Sequence, residues 1–206
     1  MKPQAVVFDI GNVLINWQPE RFFDGVIGED QRRAMFANVD LYGMNNRVDL
    51  GEAIGDVIAE TATANPDWRD EIMLWHDRWL DIASPEVDHS VRLMSALKVR
   101  GVPVFSLTNF GIQTYRIAAK RYPFLDQFDR DFISGHLGVV KPDPAIYATL
   151  EDTSGLPPQS LLFTDDRREN ITAAEVRGWQ VHHFEGPQGW ANRLVSADLL
   201  TEDEAQ

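Results

Sequence analysis

The sequence predicts an α/β fold, in which a parallel sheet flanked by helices forms the core and an all-helical segment is inserted into it. Short apolar runs alternate with helical periodicity over most of the chain, which is typical of parallel strands joined by crossover helices. From residue 17 to residue 84 the periodicity is helical without convincing strands. We therefore expect a core built from residues 1–16 and 85–206, and a helical cap segment over residues 17–84. A chain of 206 residues, 44% of them hydrophobic, can bury the core that this fold needs.

The first strand is expected at Ala5-Val6-Val7-Phe8, a short apolar run between Pro3 and Gly11. Helical periodicity then marks four stretches of the cap segment, at 21–23, 32–39, 53–61 and 68–80. Ser84-Pro85 has the composition of a helix start, because proline is well tolerated at the first helical position. The pattern predicts a helix from there over residues 86–100, stopped by Gly101.

Four further strands and three helices are predicted after Gly101. The apolar runs that predict strands are 102–107, 132–134, 161–164 and 181–184. Helices are expected over residues 112–120, 144–151 and 168–178. This alternation implies a Rossmann-like sheet with parallel pairing and right-handed crossovers. The acidic tail, residues 201–206, is expected to fray.

Composition excludes several classes of function. The chain has no cysteine, so it contains no disulfide, zinc–thiolate site or cysteine nucleophile, and a reducing compartment is favoured. The net charge of −13 would repel nucleic acid and anionic lipid. No apolar run reaches the ~18 residues that a membrane helix needs, and the first residues do not resemble a secretory leader. We expect a cytoplasmic protein that binds neither nucleic acid nor membrane.

Polar side chains follow the predicted strands at their carboxyl ends. Asp9 follows the first strand, Thr108-Asn109 the second and Asp165-Asp166 the fourth, while Lys141 lies in the loop after the third. Ligands of open α/β sheets bind beyond the carboxyl ends of the strands. These residues are therefore expected together on one rim of the sheet.

The chemistry of this rim points to phosphoryl transfer. A carboxylate such as Asp9 can attack phosphorus and form an acyl phosphate, which water then hydrolyses. Because phosphate and carboxylate repel each other, a metal is needed, and Asp165-Asp166 with Asp9 would offer the hard oxygen ligands that Mg²⁺ prefers. Lys141, on a loop that Pro142 and Pro144 stiffen, can balance both Asp9 and a phosphate oxygen.

Thr108 and Asn109 offer a hydroxyl and an amide to phosphate, beside backbone N–H groups at the start of the next helix. Taken singly, each cluster also fits an ordinary role. An Asp at a strand end can form a turn or cap a helix, and Lys141 can be an exposed surface residue. Their combination on one rim favours a magnesium-dependent phosphate site.

Four motifs, in order and spacing, resemble those of the haloacid dehalogenase-like hydrolases. Phe8-Asp9-Ile10-Gly11-Asn12-Val13-Leu14 resembles the family's first motif and Leu107-Thr108-Asn109 the second. Lys141-Pro142-Asp143 resembles the third, and Asp165-Asp166 with Asn170 the fourth. The resemblance covers nearly the whole chain, and the cap segment corresponds to the family's small cap. The Asp-x-Gly-Asn-Val form is similar to a subgroup that includes bacterial sugar-phosphate phosphatases, such as glucose-1-phosphate phosphatase.

The resemblance implies a Mg²⁺-dependent phosphatase that acts on a small phosphorylated metabolite, with a sugar phosphate as the first choice. It makes Asp9 the nucleophile, with Lys141 and Thr108 as its catalytic partners. It also implies two sets of binding residues: Thr108, Asn109, Lys141 and Asn12 for the substrate, and Asp9, the Gly11 backbone carbonyl, Asp166 and Asp165 for the metal. Asn170 would steady the metal ligands.

One position departs from the family's pattern. Most phosphatases of the family carry a second Asp two residues after the nucleophile, which protonates the leaving oxygen and later activates water, and here that position is Gly11. General acid–base help contributes about 10²–10⁴-fold to a rate, so a substitute is needed. The candidates are a water molecule or a residue of the cap segment such as Asp49.

Two other functions fit the departure at Gly11. A 2-haloacid dehalogenase would use Asp9 against carbon without a metal, although the Asp165-Asp166 pair is costly beside a third carboxylate when no cation is present. A non-catalytic protein would instead bind a phosphorylated metabolite on the same rim.

Overall fold

The computed structural model describes residues 1–206 and confirms the predicted α/β fold. It contains seven strands: β1 (Ala5–Phe8), β2 (Ile15–Trp17), β3 (Ala83–Glu86), β4 (Val104–Thr108), β5 (Arg130–Ile133), β6 (Leu161–Asp165) and β7 (Gln180–His183). Five of them form one parallel sheet in the order β5-β4-β1-β6-β7. The strand β1 is therefore central, with β4 and β6 as its neighbours on either side.

Twelve α-helices accompany the strands. Six lie in the cap segment: α1 (Pro19–Ile27), α2 (Glu29–Asn38), α3 (Leu41–Asp49), α4 (Ile54–Ala64), α5 (Arg69–Asp77) and α6 (Trp79–Ile82). Six follow it: α7 (Asp88–Val99), α8 (Ile112–Arg121), α9 (Ser134–Leu137), α10 (Pro144–Ser154), α11 (Arg168–Val176) and α12 (Pro187–Ser196). None of these helices combines the length and the apolar character needed to cross a membrane.

Both faces of the large sheet are buried, as expected of parallel strands. Along β1 the side chains alternate between two apolar clusters. Val6 and Phe8 belong to the cluster that includes residues of α7 and α12, whereas Ala5 and Val7 belong to the one that includes residues of α10 and α11. This packing fixes β1 firmly in the core, so the residue that follows it starts from a rigid support.

The strands β2 and β3 form a separate antiparallel pair that joins the core to the cap segment. Ile15 pairs with Glu86, and Trp17 pairs with Ala83. The expectation of a helix start at Ser84-Pro85 is wrong, because pairing with β2 holds these residues in an extended conformation. The helix α7 begins only at Asp88. A proline in this position is compatible with an edge strand, where no N–H is required of it.

The helices α3, α9 and α12 have no counterpart in the sequence prediction. In α3 the sequence Leu41–Asp49 is rich in polar residues and contains Gly43, which weakens the helical pattern. The helix forms because the Asp40 side chain caps it by accepting a hydrogen bond from the Gly43 N–H at 2.8 Å, and because Leu41, Met44 and Val48 are buried on one face.

The acidic tail is packed against the core, so the expectation that it frays is wrong. Ala205 is buried, and its carbonyl oxygen lies 2.8 Å from Nε2 of His89 on α7. Glu204 lies 3.4 Å from the Arg100 guanidinium and also accepts hydrogen bonds from Thr201. Local capping and one buried side chain hold this segment in place.

Candidate active site

The central position of β1 gathers the predicted rim residues. Asp9 directly follows β1, Thr108 ends β4 on one side, and Asp165 ends β6 on the other. The Asp9 N–H donates to the Thr164 carbonyl at 3.0 Å, which ties it to the neighbouring strand. The carboxyl ends of three adjacent strands therefore converge on Asp9.

Lys141 is the cation at the centre of this rim. Its Nζ lies 2.9 Å from Asp9 Oδ1 and 2.6 Å from Asp165 Oδ2, and it donates to the Leu107 carbonyl at 2.7 Å. The side chain is almost completely buried. Burial alone would lower the pKa of Lys141, but the Asp165 and Asp9 charges and hydrogen bonds raise it above its usual value. The ammonium therefore stays charged between the two carboxylates.

Asn109 holds the backbone that carries this lysine. Its Oδ1 accepts from the Lys141 N–H at 2.7 Å, and its Nδ2 donates to the Lys141 carbonyl at 3.0 Å. The two hydrogen bonds join the end of β4 to the Lys141 loop. The Asn109 side chain thus positions Lys141, while Asn109 also lines the cavity above the rim.

Asp165 is fully buried, and both of its carboxylate oxygens are occupied. Oδ1 accepts from the Arg167 N–H at 2.8 Å, Oδ2 accepts from Lys141, and Asn170 Nδ2 lies 3.0 Å from each oxygen. Asn170 is buried beside it. These contacts orient Asp165 as the partner that holds Lys141 in place.

Asp166 is partly exposed and projects into the cavity. Its Oδ2 accepts from Asn12 Nδ2 at 2.9 Å, while Asn12 Oδ1 accepts from the Trp17 N–H at 2.9 Å. Asn12 has a left-handed backbone, with φ of 55°, which asparagine tolerates better than most residues. The Asn12 side chain therefore bridges Asp166 and the start of the cap segment.

The charges of this site do not balance within the protein. Carboxylate oxygens of Asp9, Asp165 and Asp166 all lie within 4.8 Å of one another, and Lys141 is the one cation among them. Burial raises the pKa of Asp9 to about 7, and it also raises that of Asp166. With all three acids ionised, one ammonium leaves two negative charges uncompensated. A divalent cation with oxygen ligands fits both this charge and this donor set.

Thr108 and Gly11 complete the predicted set. Thr108 is almost fully buried, and the cavity lining includes its neighbour Asn109 and not Thr108 itself. Gly11 lines the cavity, and no atom lies within 4 Å of where a Cβ would stand. The space that a side chain would fill beside the nucleophile is therefore open.

A cavity of about 260 Å³ lies over the rim, and the cap segment supplies part of its wall. Trp17 and Trp79 contribute aromatic surface, and one face of α3 contributes polar groups: Tyr42, Asn45, Asn46 and Asp49. The prediction from sequence lacked Tyr42, Asn45 and Asn46. Their spacing of three and four residues, beside the apolar stripe of α3, is the signal that could have identified them.

Asp49 is the last residue of α3 and is only partly exposed inside the cavity. Its Oδ2 accepts from Asn45 Nδ2 at 2.9 Å, and Asn45 Oδ1 in turn accepts from Trp75 Nε1 at 3.3 Å. Burial raises the pKa of Asp49 to about 7, against opposing effects from the Gly111 backbone amide, Asn45 and the Lys141 charge. The carboxyl group is therefore held in one orientation and keeps its proton at unusually high pH.

We expect Asp49→Asn to stabilise the fold above neutral pH. Folded Asp49 holds its proton up to about pH 7, whereas the unfolded carboxyl ionises near its ordinary value of 3.8. In this window the unfolded state binds fewer protons, so the stability of the wild type falls as pH rises. The uncharged amide avoids this loss, and urea unfolding should give the variant about 1–2 kcal/mol more stability at about pH 8.

The stability difference between the two proteins should disappear as the pH falls below the ordinary pKa of aspartate, because Asp49 is then protonated in both the folded and the unfolded state. Asp56→Asn, an equal charge change on the exposed surface of α4, serves as the control and should show no such pH dependence. An Asp49→Asn variant that is no more stable than the wild type at alkaline pH would contradict the burial of this charge.

Comparison with known proteins identifies a family and several relatives of this chain. A family model described as haloacid dehalogenase-like hydrolase matches residues 3–178. A sesquiterpene phosphatase of Aspergillus oryzae is 24% identical over 189 residues, which cover 85% of this chain and 86% of that protein. A drimenol cyclase of Aspergillus calidoustus is 28% identical over 75 residues, and this match spans 36% of the chain but 14% of the cyclase.

Solved structures share the fold at low sequence identity. A haloacid dehalogenase family enzyme from Bacteroides thetaiotaomicron has a TM-score of 0.74 and 21% identity, covering 94% of this chain and 99% of that one. Its complex with magnesium and inorganic phosphate has a TM-score of 0.68 at 21% identity, with coverage of 89% and 95%. The L-2-haloacid dehalogenase of Xanthobacter autotrophicus has a TM-score of 0.63 at 18% identity, with coverage of 96% and 84%.

The family model covers most of the chain, including the ends of strands β1, β4 and β6 described above. The structural neighbours carry the same fold. The chain therefore belongs to the haloacid dehalogenase-like hydrolases.

Proposed function

We propose that the protein is a magnesium-dependent phosphatase that hydrolyses a small phosphorylated metabolite through an aspartyl-phosphate intermediate on Asp9. The observation that carries this proposal is the charge imbalance of the rim. Three carboxylates within 4.8 Å of one another face a single buried lysine. Such a cluster is expensive without a divalent cation, and a dianionic phosphate could not approach it.

The residues that would hold the metal are Asp9, Asp166 and the backbone carbonyl of Gly11. Asp9, Asp166 and Gly11 all lie on the cavity wall, and Asp166 is partly exposed there. Asp165, whose oxygens are occupied by Lys141, Asn170 and Arg167, would support the site by holding Lys141. When bound, Mg²⁺ supplies neutralisation of phosphate charge and orientation of its oxygens.

The side chains of the rim have separate roles in the hydrolysis. Asp9 attacks phosphorus, and Lys141 stabilises the negative charge that gathers on the phosphoryl oxygens. The Thr108 hydroxyl, at the end of β4, would donate a hydrogen bond to one of them. Asn109 keeps Lys141 in register through two backbone hydrogen bonds. Water finally cleaves the acyl phosphate and regenerates the Asp9 carboxylate.

Two comparisons support this proposal. A relative that matches most of the chain is a phosphatase, and a structural neighbour has been crystallised with magnesium and inorganic phosphate. For the substrate, a cavity of about 260 Å³ suits a small molecule. Its wall combines aromatic surface from Trp17 and Trp79 with the amides of Asn45 and Asn46. Apolar faces beside hydrogen-bonding groups suit a sugar phosphate, which we take as the first candidate.

The test is hydrolysis of a panel of phosphate esters with Mg²⁺ and with EDTA. The wild type should turn over only with Mg²⁺, and Asp166→Asn should need at least ~10–100-fold more Mg²⁺ for half-maximal activity, since it loses a ligand. Isothermal titration of Mg²⁺ should show the same loss of affinity. Asp152→Asn, which neutralises an exposed carboxylate on α10, should behave like the wild type.

A dehalogenase is the second candidate, because the side chain that most phosphatases of the family use as acid is missing at Gly11. It requires release of halide from a 2-haloacid in the presence of EDTA. That result, together with no stimulation of ester hydrolysis by Mg²⁺, would replace the phosphatase proposal. Ligand-induced thermal stabilisation without turnover of any ester would point instead to a binding protein.

A further inference from the structure

We propose that Asp49, at the end of cap helix α3, is the catalytic residue that protonates the leaving oxygen and then activates the hydrolytic water. It would take the place of the side chain that is absent at Gly11. This inference rests on the proposed phosphatase function and names the proton carrier of the same site.

The cavity offers few other proton carriers. The titratable groups on its wall are Asp9, Asp166, Lys141, Arg167, Tyr42 and Asp49. The first three are already assigned to attack, metal binding and charge balance. An arginine guanidinium serves as a hydrogen-bond donor and not as a proton-transfer group, and burial raises the pKa of Tyr42 to about 12, so Tyr42 does not exchange a proton readily near neutral pH. Asp49 is the remaining group.

The core fixes the position of Asp49 relative to the rim. The Asp49 carbonyl accepts from Ser134 Oγ at 2.6 Å, and the same hydroxyl accepts from the Phe110 N–H at 2.9 Å. A Cβ on Gly111 would come within 2.5 Å of Val48, and one on Gly51 within 2.6 Å of the Gly135 carbonyl. The end of α3 therefore docks closely on Phe110 and Gly111, which follow Asn109, and on the start of α9.

Asp49 lies at the C-terminal end of α3, where an ionised carboxylate with a purely structural role would destabilise the fold. The carboxyl end of a helix is the negative end of its dipole, so an ionised acid there lowers stability. No arginine, lysine or histidine forms an ion pair with Asp49, whose partners are Asn45 and a nearby backbone amide. This environment favours the protonated carboxyl, with a pKa near 7, which is the form that a general acid needs.

In-line displacement places the leaving oxygen on the side of phosphorus opposite the nucleophile. Asp9 attacks from the core rim, so the leaving group extends toward the cap segment, from which Asp49 enters the same cavity. The water of the second step attacks from that side as well. One carboxyl group on the cap can therefore serve both steps.

The two steps balance as follows. An Asp9 oxygen forms a bond to phosphorus, the bond from phosphorus to the leaving oxygen breaks, and that oxygen takes the proton of Asp49 to become an alcohol. Water then gives a proton to the Asp49 carboxylate while its oxygen bonds to phosphorus, and the bond to Asp9 breaks. Inorganic phosphate leaves, and Asp49 is protonated again.

The test compares leaving groups in Asp49→Asn, an isosteric change that keeps a hydrogen-bond acceptor for Asn45. Hydrolysis of the best alkyl phosphate of the panel should fall by about 10²–10⁴-fold, because an alkoxide needs a proton to leave. The first turnover of p-nitrophenyl phosphate, whose leaving group needs none, should fall much less. The ratio of the two rates within one variant does not depend on how much of it is folded.

The second step of the reaction provides another measurement, because Asp49→Asn also removes the general base that activates water. With p-nitrophenyl phosphate, Asp49→Asn should release a rapid burst of about one equivalent of nitrophenol, followed by slow turnover as the aspartyl phosphate accumulates. Mass spectrometry after acid quench should detect this phosphoprotein. Asp56→Asn should show wild-type rates for both esters and no such accumulation.

An equal loss for both esters without a burst, or an unchanged rate with the alkyl phosphate, would overturn the role of Asp49 and leave the phosphatase proposal standing. A wild type that neither hydrolyses any ester with Mg²⁺ nor forms a phosphoprotein would overturn both.

Discussion

In the variant Asp9→Asn, kcat for ester hydrolysis is expected to fall by at least ~10⁴-fold, as is typical when a nucleophile is removed. The amide cannot form the acyl phosphate, and no second carboxylate can replace it. Asp165 is enclosed by Lys141, Asn170 and the Arg167 N–H, and Asp166 is tied to Asn12. The measurement is steady-state hydrolysis, combined with mass spectrometry of acid-quenched protein.

The fold should survive this change, which makes the loss of activity easy to interpret. Asp9 is one of three clustered acids around a single ammonium, so its removal reduces the excess of negative charge, and Lys141 keeps its 2.6 Å contact with Asp165. The control Asp152→Asn should keep full activity. Phosphoprotein in Asp9→Asn, or activity within tenfold of the wild type, would refute the assignment of the nucleophile.

The variant Lys141→Met is expected to show the largest loss of stability, about 3–5 kcal/mol, because it leaves buried carboxylates without their counter-ion. Methionine fills a similar volume beside Phe163, over whose ring Lys141 Nζ lies at 5.5 Å from the centroid. The loss of stability therefore comes from uncompensated charge and lost hydrogen bonds more than from a cavity. Urea unfolding in EDTA measures this loss without any contribution from bound metal.

Lys120→Met provides the comparison, since Lys120 is exposed on α8 and forms no ion pair. Its stability should stay within about 0.5 kcal/mol of the wild type. The activity of Lys141→Met should also fall steeply, because the phosphoryl charge loses its partner. A Lys141→Met variant as stable as Lys120→Met would show that the ammonium does not compensate Asp9 and Asp165.

The positions of the strands and of their ends were accessible from the sequence because they depend on local patterns. The apolar runs before Asp9 and Asp165 are short and bounded by turn or polar residues, which favours buried strands, and parallel pairing brings their ends together. The charge cluster follows directly from this arrangement.

Contacts between distant segments were not accessible in this way. The double hydrogen bond from Asn109 to Lys141 spans 32 positions, and the bridge from Asn12 to Asp166 spans 154. Neither contact produces a periodic pattern in the sequence. Asp49 could be named as a candidate acid, but its place in the cavity depends on the docking of α3, a helix whose own pattern is weak. The formation of α3 depends on the burial of Leu41, Met44 and Val48 in the tertiary structure.

The pairing of β2 with β3 means that the chain departs for the cap segment and returns from it at neighbouring positions, only about 5 Å apart across the strand pair. We therefore infer that a cap segment of different length or sequence would leave the strand order of the core unchanged. If Asp49 carries the proton, the cap segment supplies a catalytic residue as well as the part of the cavity wall that selects the substrate. A change of cap segment would then alter substrate selectivity and catalytic rate together. A cap segment from another protein would have to contain a general acid of its own.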